Sequence, residues 1–413
     1  MKNNGKRNGI EAYAPLVGEP VVALIRKLAA RLRGARVLNI NSTREGGGVV
    51  EILGRLVPLA RGLGIDMRWE TIQGTRSFFA TTKKMHNALQ GNQVNFSERE
   101  LQYYEQVNRD NLDRIDMDVD YVIIHDPQPC PLVQYIPEGV TKIWRCHIDL
   151  SRPNRKLWRY LREWVKQYDA SIFHISAFAQ QLPHKQFLIP PSIDPHSVKN
   201  RPVPSKTVRT TLMRYGIDPQ RPVILQISRY DRFKDPIGVI EAFLMVRKHY
   251  DCQLVLAGEQ AADDPEGAQV YEEVREMADK HPDVHALMLS RENNHHKVNC
   301  LQRAATIIVQ KSIKEGFGLT VTEGMWKAKP VIGGAVGGIT AQITEGLNGY
   351  LVNSVDGVAY RCRYLLTREK RMKEMGRAAK KSVLERFLIT RHLSDYLAML
   401  LAVKHPARTM IEL

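Results

Sequence analysis

The sequence predicts an α/β protein made of two doubly wound domains, and three observations predict it. Short apolar runs alternate with amphipathic stretches, the rhythm of parallel strands covered by helices. That rhythm breaks once, at a stretch rich in proline and cations, and then restarts. The 413 residues are also enough to build more than one core.

In chain order, ARVLNINST reads as the first strand, REGGG as a glycine turn and VVEILGRLVPLARGLG as the first long helix. IDMRWETI, DYVIIHD, TKIWRCHID, ASIFHIS and QFLIPPSID read as further strands. Residues 1–195 are therefore expected as the first domain and 196–221 as a linker. Residues 222–387 form the second domain, in which PVILQISRY is a strand and PIGVIEAFLMVRKHY a helix. QLVLAGE, VHALMLS, TIIVQ, PVIGG and GYLV follow as strands. The last helix, within 388–413, is expected to join the first domain. Open α/β sheets hold ligands at the C-terminal ends of their strands, and two facing sheets make a cleft.

Composition narrows the function classes. Hydrophobic residues make up 43% and charged residues 25%, ordinary for a soluble globular protein. No apolar run is long enough to span a membrane, and MKNNGKRNGI lacks the apolar core of a signal peptide. A cytoplasmic protein is expected. Five cysteines without a CxxC pair read as buried free thiols. The net charge of +16 suits an anionic partner, but no zinc-finger, basic-zipper or RNA-recognition pattern accompanies it. Nucleic acid is therefore not expected, and most of the charge reads as solvated helix faces.

Three stretches fall at expected strand ends. REGGG, with Gly46, Gly47 and Gly48, lets backbone approach an anion or a sugar, or is simply a tight turn. SRYDRFKDP carries Arg229 and Lys234, a fork and a point charge suited to a diphosphate, although both types are common in loops. KEGFGLTVTEG places Glu315 on a turn and Glu323 inside a helix. If the stretch were fully helical, a rise of about 1.5 Å per residue would set the two acids about 12 Å apart. Glycosidase carboxylates sit about 5 to 9.5 Å apart. Two contacts to an elongated ligand fit better, with the N–H groups of Phe317–Thr320 facing an anion between them. The Asp-x-Asp spacing of DMDVD precedes its strand, the wrong end for a metal-bound ligand, and His295 and His296 read as solvated.

Taken together, Arg229, Lys234 and the E-x7-E pair resemble the retaining nucleotide-sugar glycosyltransferases of the GT-B fold. Within these, the chain resembles the trehalose synthase and trehalose phosphorylase group. NSTREGGGVVEIL, KKMHNALQG, HDPQP, WRCHIDLSRPN, PPSIDP, QISRYDRFKDP, DDPEG and EGFGLTVTEGMWKAKPVIGGAVGGI carry that resemblance, in the family's order.

The resemblance implies two Rossmann-like domains facing across a deep cleft. It implies a UDP- or ADP-glucose donor, glucose as acceptor, trehalose as product and a reversible reaction, with no metal or other cofactor required. Arg229, Lys234, Glu315 and His147 are carried over as catalytic. Gly46, Gly47, Gly48, Gly316, Phe317, Gly318, Leu319, Thr320 and Glu323 are carried over as donor-binding, with Glu323 on the ribose and Glu315 near the transferred sugar. Asn41, His86, Asn87, His125, Asp126 and Arg145 are the acceptor-side candidates. Partners are then small molecules, a homodimer being compatible.

Two departures stand out. Asp235 follows Lys234 where the family commonly has glycine, and LSRENNHHKVN differs from the usual segment, leaving the nucleotide base open. A phosphorylase and a non-catalytic basic binding protein are the competing readings.

Overall fold

The computed structural model describes residues 9–259, 265–290 and 292–404. The segment DDPEG, at 263–267, the Arg291 of LSRENNHHKVN and the end of the 388–413 stretch fall wholly or partly outside them. The chain forms two units, Met1–Ser192 with Ile389–Leu413, and Ile193–Leu388.

The first unit holds β1 (Arg36–Asn41), β2 (Asp66–Thr71), β3 (Tyr121–His125), β4 (Thr141–Arg145), β5 (Ala170–Phe173) and β6 (Lys185–Leu188). They form one parallel sheet in the order β2-β1-β3-β4-β5-β6, with Ile40 opposite Ile124 across β1 and β3. Its helices are α1 (Glu19–Ala30), α2 (Gly47–Gly62), α3 (Arg76–Leu89), α4 (Glu98–Asp110) and α5 (Arg155–Val165). All five residues of β3 are buried, as a strand covered on both faces requires. One apolar cluster gathers Ile25, Leu53 and Leu56 with Leu393 and Leu397, and the other gathers Phe78, Tyr104 and Leu161. A capping box between Ser97 and Glu100 starts α4.

The second unit holds α6 (Ser205–Arg214), β7 (Val223–Ile227), α7 (Pro236–Arg247), β8 (Gln253–Glu259), α8 (Pro265–Ala278), β9 (Val284–Leu289), α9 (Asn294–Ala304) and β10 (Ile307–Gln310). α10 (Leu319–Trp326), β11 (Val331–Gly334), β12 (Tyr350–Val352), α11 (Val355–Leu366) and α12 (Glu369–Arg386) complete it, and α13 (Ile389–Lys404) returns to the first unit. The order β12-β11-β10-β7-β8-β9 reverses between β7 and β10. In the first sheet the reversal lies between β1 and β3. Such reversals open a crevice at the strand C-termini, and they fix where each unit can hold a ligand.

The expected linker is not a bare connection. Part of it is α6, which buries Leu212 and belongs to the second unit. Its composition hid it, because a short helix rich in Lys, Arg and Thr shows little apolar periodicity.

Candidate active site

In the second unit, the loops after β7 and β10 meet at the switch point. The loop after β7 makes a short 3₁₀ turn, Arg232–Lys234, capped by the Asp231 carboxylate, which accepts from the Phe233 N–H at 2.7 Å. The Lys234 carbonyl accepts from Gln226 Nε2 at 2.8 Å, and Ile313 N–H donates to the Phe233 carbonyl at 2.7 Å. The backbone around Lys234 is thus fixed from two strands. Lys234 Nζ then reaches Glu315 Oε2 at 2.6 Å, and Ser312 Oγ donates to the same oxygen at 3.3 Å. Both members of this ion pair are largely buried, at 16% and 11% exposure.

Arg229, on the same loop, is 59% exposed and lies 3.4 Å from Asp231. Asp235, the departure from the family pattern, adopts φ +48° and caps α7 by accepting from Gly238 N–H at 3.2 Å. Its other oxygen pairs with Lys311. Asparagine and aspartate tolerate this left-handed conformation better than most residues, so Asp stands in here for the usual glycine.

α10 opens on Gly318, at φ +82°, without a side-chain cap. Val321 N–H donates to the Gly318 carbonyl at 2.9 Å, and a helix start without a side-chain cap is a place where an external acceptor can bind. The turn before it is held against the start of the Ile339–Gln342 helix. A Cβ on Gly338 would lie 2.6 Å from the Gly316 carbonyl oxygen, and Gly338 N–H donates to the Glu315 carbonyl at 3.2 Å. Because the helix covers only Leu319–Trp326, Glu315 lies outside it, and the separation expected for a fully helical stretch does not apply.

The two acids of E-x7-E differ in surroundings. Glu323 is fully buried, its Oε1 2.9 Å from Lys199 Nζ and its Oε2 accepting from Gln302 Nε2 at 2.9 Å. Burial pushes this carboxyl up, but Lys199, Lys327 and the Gln302 bond outweigh that and hold it below the ordinary range. Lys327 is itself anchored on Asn200 at 2.9 Å. Lys199 and Gln302 have no sequence signal, since each lies outside the helix that carries Glu323.

In the first unit, three histidines join at the ends of β3, β4 and β5. His125 Nδ1 lies 3.0 Å from His147 Nε2, and His147 Nδ1 lies 3.2 Å from His174 Nε2. His125 Nε2 lies 3.1 Å from Asn39 Oδ1, while Asn39 Nδ2 donates to the Arg68 carbonyl at 3.3 Å. That orientation fixes the protons. The Asn39 oxygen only accepts, so His125 donates from Nε2 and accepts at Nδ1. His147 then donates from Nε2, and His174 donates to His147 Nδ1. His125 and His147 are neutral: burial, helped by Arg145, pushes His125 down to about 3 and His147 well below its usual value.

This arrangement corrects two expectations. Both ring nitrogens of His147 are engaged by other histidines, so the ring offers neither a free proton nor a free lone pair in this state. Arg145 is fully buried and donates to the carbonyls of Ile189, at 2.6 Å, and Phe173, at 3.5 Å. It does not reach a surface where a sugar could meet it, because its charge serves the core beneath the strand ends.

The remaining candidates are placed as follows. The Asn41 amide is occupied, accepting from Trp69 Nε1 and donating to the Thr43 carbonyl, each at 2.7 Å. His86 and Asn87 lie in the last turn of α3, beside Ala88, whose carbonyl accepts from Asn154 N–H at 2.9 Å. Gly46 and Gly47 adopt φ +68° and +80° at the uncapped start of α2, with open space on their Cβ side. Asp126 adopts φ +65° and accepts from His147 N–H at 2.7 Å. Burial raises its carboxyl to about 7, against the lowering by that hydrogen bond and by Arg145. A carboxyl near neutral pH at a strand end is a candidate acid or base. Asn39 and His174 were missed. The signal for His174 was there, since DYVIIHD, TKIWRCHID and ASIFHIS each carry a histidine at or just past a strand end.

Among the described residues no cluster of His, Cys, Asp and Glu suits a metal ion, and no helix is long and apolar enough to cross a membrane.

Comparison with known proteins fits this arrangement. Residues 39–180 match the family described as trehalose synthase, N-terminal domain, and residues 210–382 match glycosyl transferases group 1. A trehalose synthase of Thermococcus litoralis is 43% identical over 404 residues, covering 97% of this chain and 98% of that protein. A trehalose phosphorylase of Grifola frondosa is 27% identical, covering 85% of this chain and 54% of that protein. Among solved structures, an α,α-trehalose-phosphate synthase (UDP-forming) from Burkholderia xenovorans superposes with a TM-score of 0.71 at 13% identity, covering 89% of this chain and all of that one. Anabaena HepE in complex with UDP-glucose gives 0.66 at 14%, covering 89% and 99%. Both structural likenesses speak to the GT-B glycosyltransferase fold.

Proposed function

Because the chain belongs to the trehalose synthase family of glycosyltransferases, we propose that it makes trehalose from a nucleoside diphosphate-glucose and free glucose, with retention at the anomeric carbon. The observation that carries this reading is the 43% identity to a trehalose synthase across nearly both full chains. The phosphorylase relative is more distant and matches over about half its own length.

The residues supply a route. As the anomeric C–O bond breaks, the leaving diphosphate gathers negative charge. Lys234, the exposed Arg229 and the uncapped start of α10 stand at one strand-end crevice, where fixed positive groups stabilise such charge most. Glu315 orients Lys234 and lies toward the transferred sugar. The leaving phosphate oxygen takes the acceptor's proton, so no protein nucleophile is needed. The ribose hydroxyls bind Glu323 by replacing one of its present partners, Lys199 or Gln302. In the other unit, Asp126 and the neutral histidine chain form the acceptor side, His147 acting as a positioning residue. UDP- or ADP-glucose is the donor. Five buried free cysteines support a cytoplasmic setting.

The test runs the reaction backwards. Trehalose incubated with UDP or ADP should release the nucleotide sugar and glucose. Glucose 1-phosphate formed only with inorganic phosphate would assign the protein to the phosphorylases instead.

A further inference from the structure

A groove of about 1050 Å³ runs along α5 in the first unit, and it shares no residue with the strand-end site. Its lining carries five cations, Arg152, Arg155, Lys156, Arg159 and Arg162, against one carboxylate, Glu163. Glu163 is already paired with Lys166 at 2.8 Å. Arg162 donates to the Gln181 carbonyl at 2.8 Å. Among the described residues, the side chains of Arg152, Arg155, Lys156 and Arg159 make no hydrogen bond or ion pair.

This placement works against the helix that bears it. Arg155 and Lys156 occupy the first two positions of α5, where the helix dipole disfavours cations. α1, α4, α11 and α12 carry acids in their first turns, and α3 and α6 each carry a single cation there against the two of α5. Arg155, Arg159 and Arg162 also stack as like charges on one helix face. A bound polyanion would relieve both penalties.

The walls are fixed in advance. Buried Asn154 caps α5 and donates to the Asn92 and Val94 carbonyls, at 3.4 and 3.2 Å, holding the loop that brings Gln93 and Asn95 into the lining. On the other side, Gln180 donates to the Leu150 carbonyl at 2.6 Å. The half-buried Trp158 adds an aromatic surface to the lining and packs its ring on Trp144. The volume is that of a small-molecule site.

We infer that this groove binds a small phosphate-bearing molecule, a sugar phosphate or a nucleotide, at a site separate from the donor crevice.

The experiment titrates the full chain with inorganic tripolyphosphate by calorimetry in low salt. Four proteins are compared: the unmodified chain, R155S/R159S, R229A/K234A and the chain carrying all four substitutions. Arg155 and Arg159 are exposed, so the first variant should fold, and an unchanged melting temperature checks this. The inference expects R155S/R159S, added to R229A/K234A, to weaken binding by about tenfold or more with a shallower salt dependence, and on its own to leave trehalose formation unchanged. R229A/K234A should keep the groove's binding even where transfer is lost, which separates this site from the proposed reaction. Glucose 6-phosphate and ADP, titrated into R229A/K234A, then tell which carrier is preferred. Equal binding by R229A/K234A with and without R155S/R159S would overturn the inference, as would loss of binding in an R229A/K234A variant whose melting temperature is unchanged. Tighter binding of a short oligonucleotide than of tripolyphosphate would also overturn it and mark a nucleic-acid surface.

Discussion

The two units bury polar side chains at their strand ends in opposite ways. The second unit does it with full charges: Lys234 on Glu315, Lys311 on Asp235, and Lys199 on Glu323. The first buries one charge, Arg145, on carbonyls beneath its strand ends, and lines the ends themselves with three histidines in series on one asparagine, beside a carboxyl raised to about 7. The difference teaches what each crevice is built to meet. Paired charges suit a diphosphate whose own charge grows during reaction, whereas neutral donors and acceptors suit sugar hydroxyls.

Substitutions can break this contrast, the largest effect coming from the charged side. Glu323→Ala leaves Lys199 and Lys327 facing a buried gap, so it should lower unfolding free energy by about 3–5 kcal/mol. Urea titration measures this. A loss no larger than that of an exposed substitution would mean the ion pair is not what holds this corner.

Lys234→Ala comes next, with turnover falling about 10²–10³-fold through lost charge stabilisation. Lys234→Arg should recover part of it. Arg229→Ala should lower turnover about 10²-fold and, since Arg229 is mostly exposed, leave stability within about 0.5 kcal/mol. Unchanged turnover would remove Arg229 from the chemistry.

On the neutral side the effects are smaller. Asn39→Leu strips the acceptor from His125 Nε2 and should cost about 1–3 kcal/mol. Nitrogen chemical shifts of the histidines should show the tautomers losing their common orientation.

A further effect is one of pH, and its sign differs between groups. The folded value of Asp126 lies above its unfolded one, so its native state holds a proton that the unfolded chain has released. Its contribution falls as pH rises from about 4 to about 7. His125 is depressed to about 3, so its contribution rises with pH up to about 6.5. Asp126→Asn should therefore flatten only the falling part of the stability–pH curve.

Much of this was legible in the sequence. Most strands of the described residues follow from apolar runs bounded by turns, and the switch point of the second sheet brings Lys234 and Glu315 together, as the matching of QISRYDRFKDP and EGFGLTVTEG to one family pattern implied. What stayed hidden depends on partners distant in sequence. The burial of Glu323 against Lys199 and Gln302 has no local signature, and neither does the orientation of Asn39 that sets three tautomers. α6 was hidden because its exposed face dominates its composition. Arg145 looked like a ligand-facing cation because a strand-end arginine reads the same whether it points at a cleft or at carbonyls.

The most direct measurement follows glucose labelled with ¹³C at the anomeric carbon through the forward reaction. The protein is mixed with labelled UDP- or ADP-glucose and unlabelled glucose, and the products are read by NMR. The account predicts α,α-1,1-linked trehalose with the label in one ring and free nucleoside diphosphate in equal amount. Donor consumption without a disaccharide, or no turnover with any nucleoside diphosphate-glucose, would contradict it.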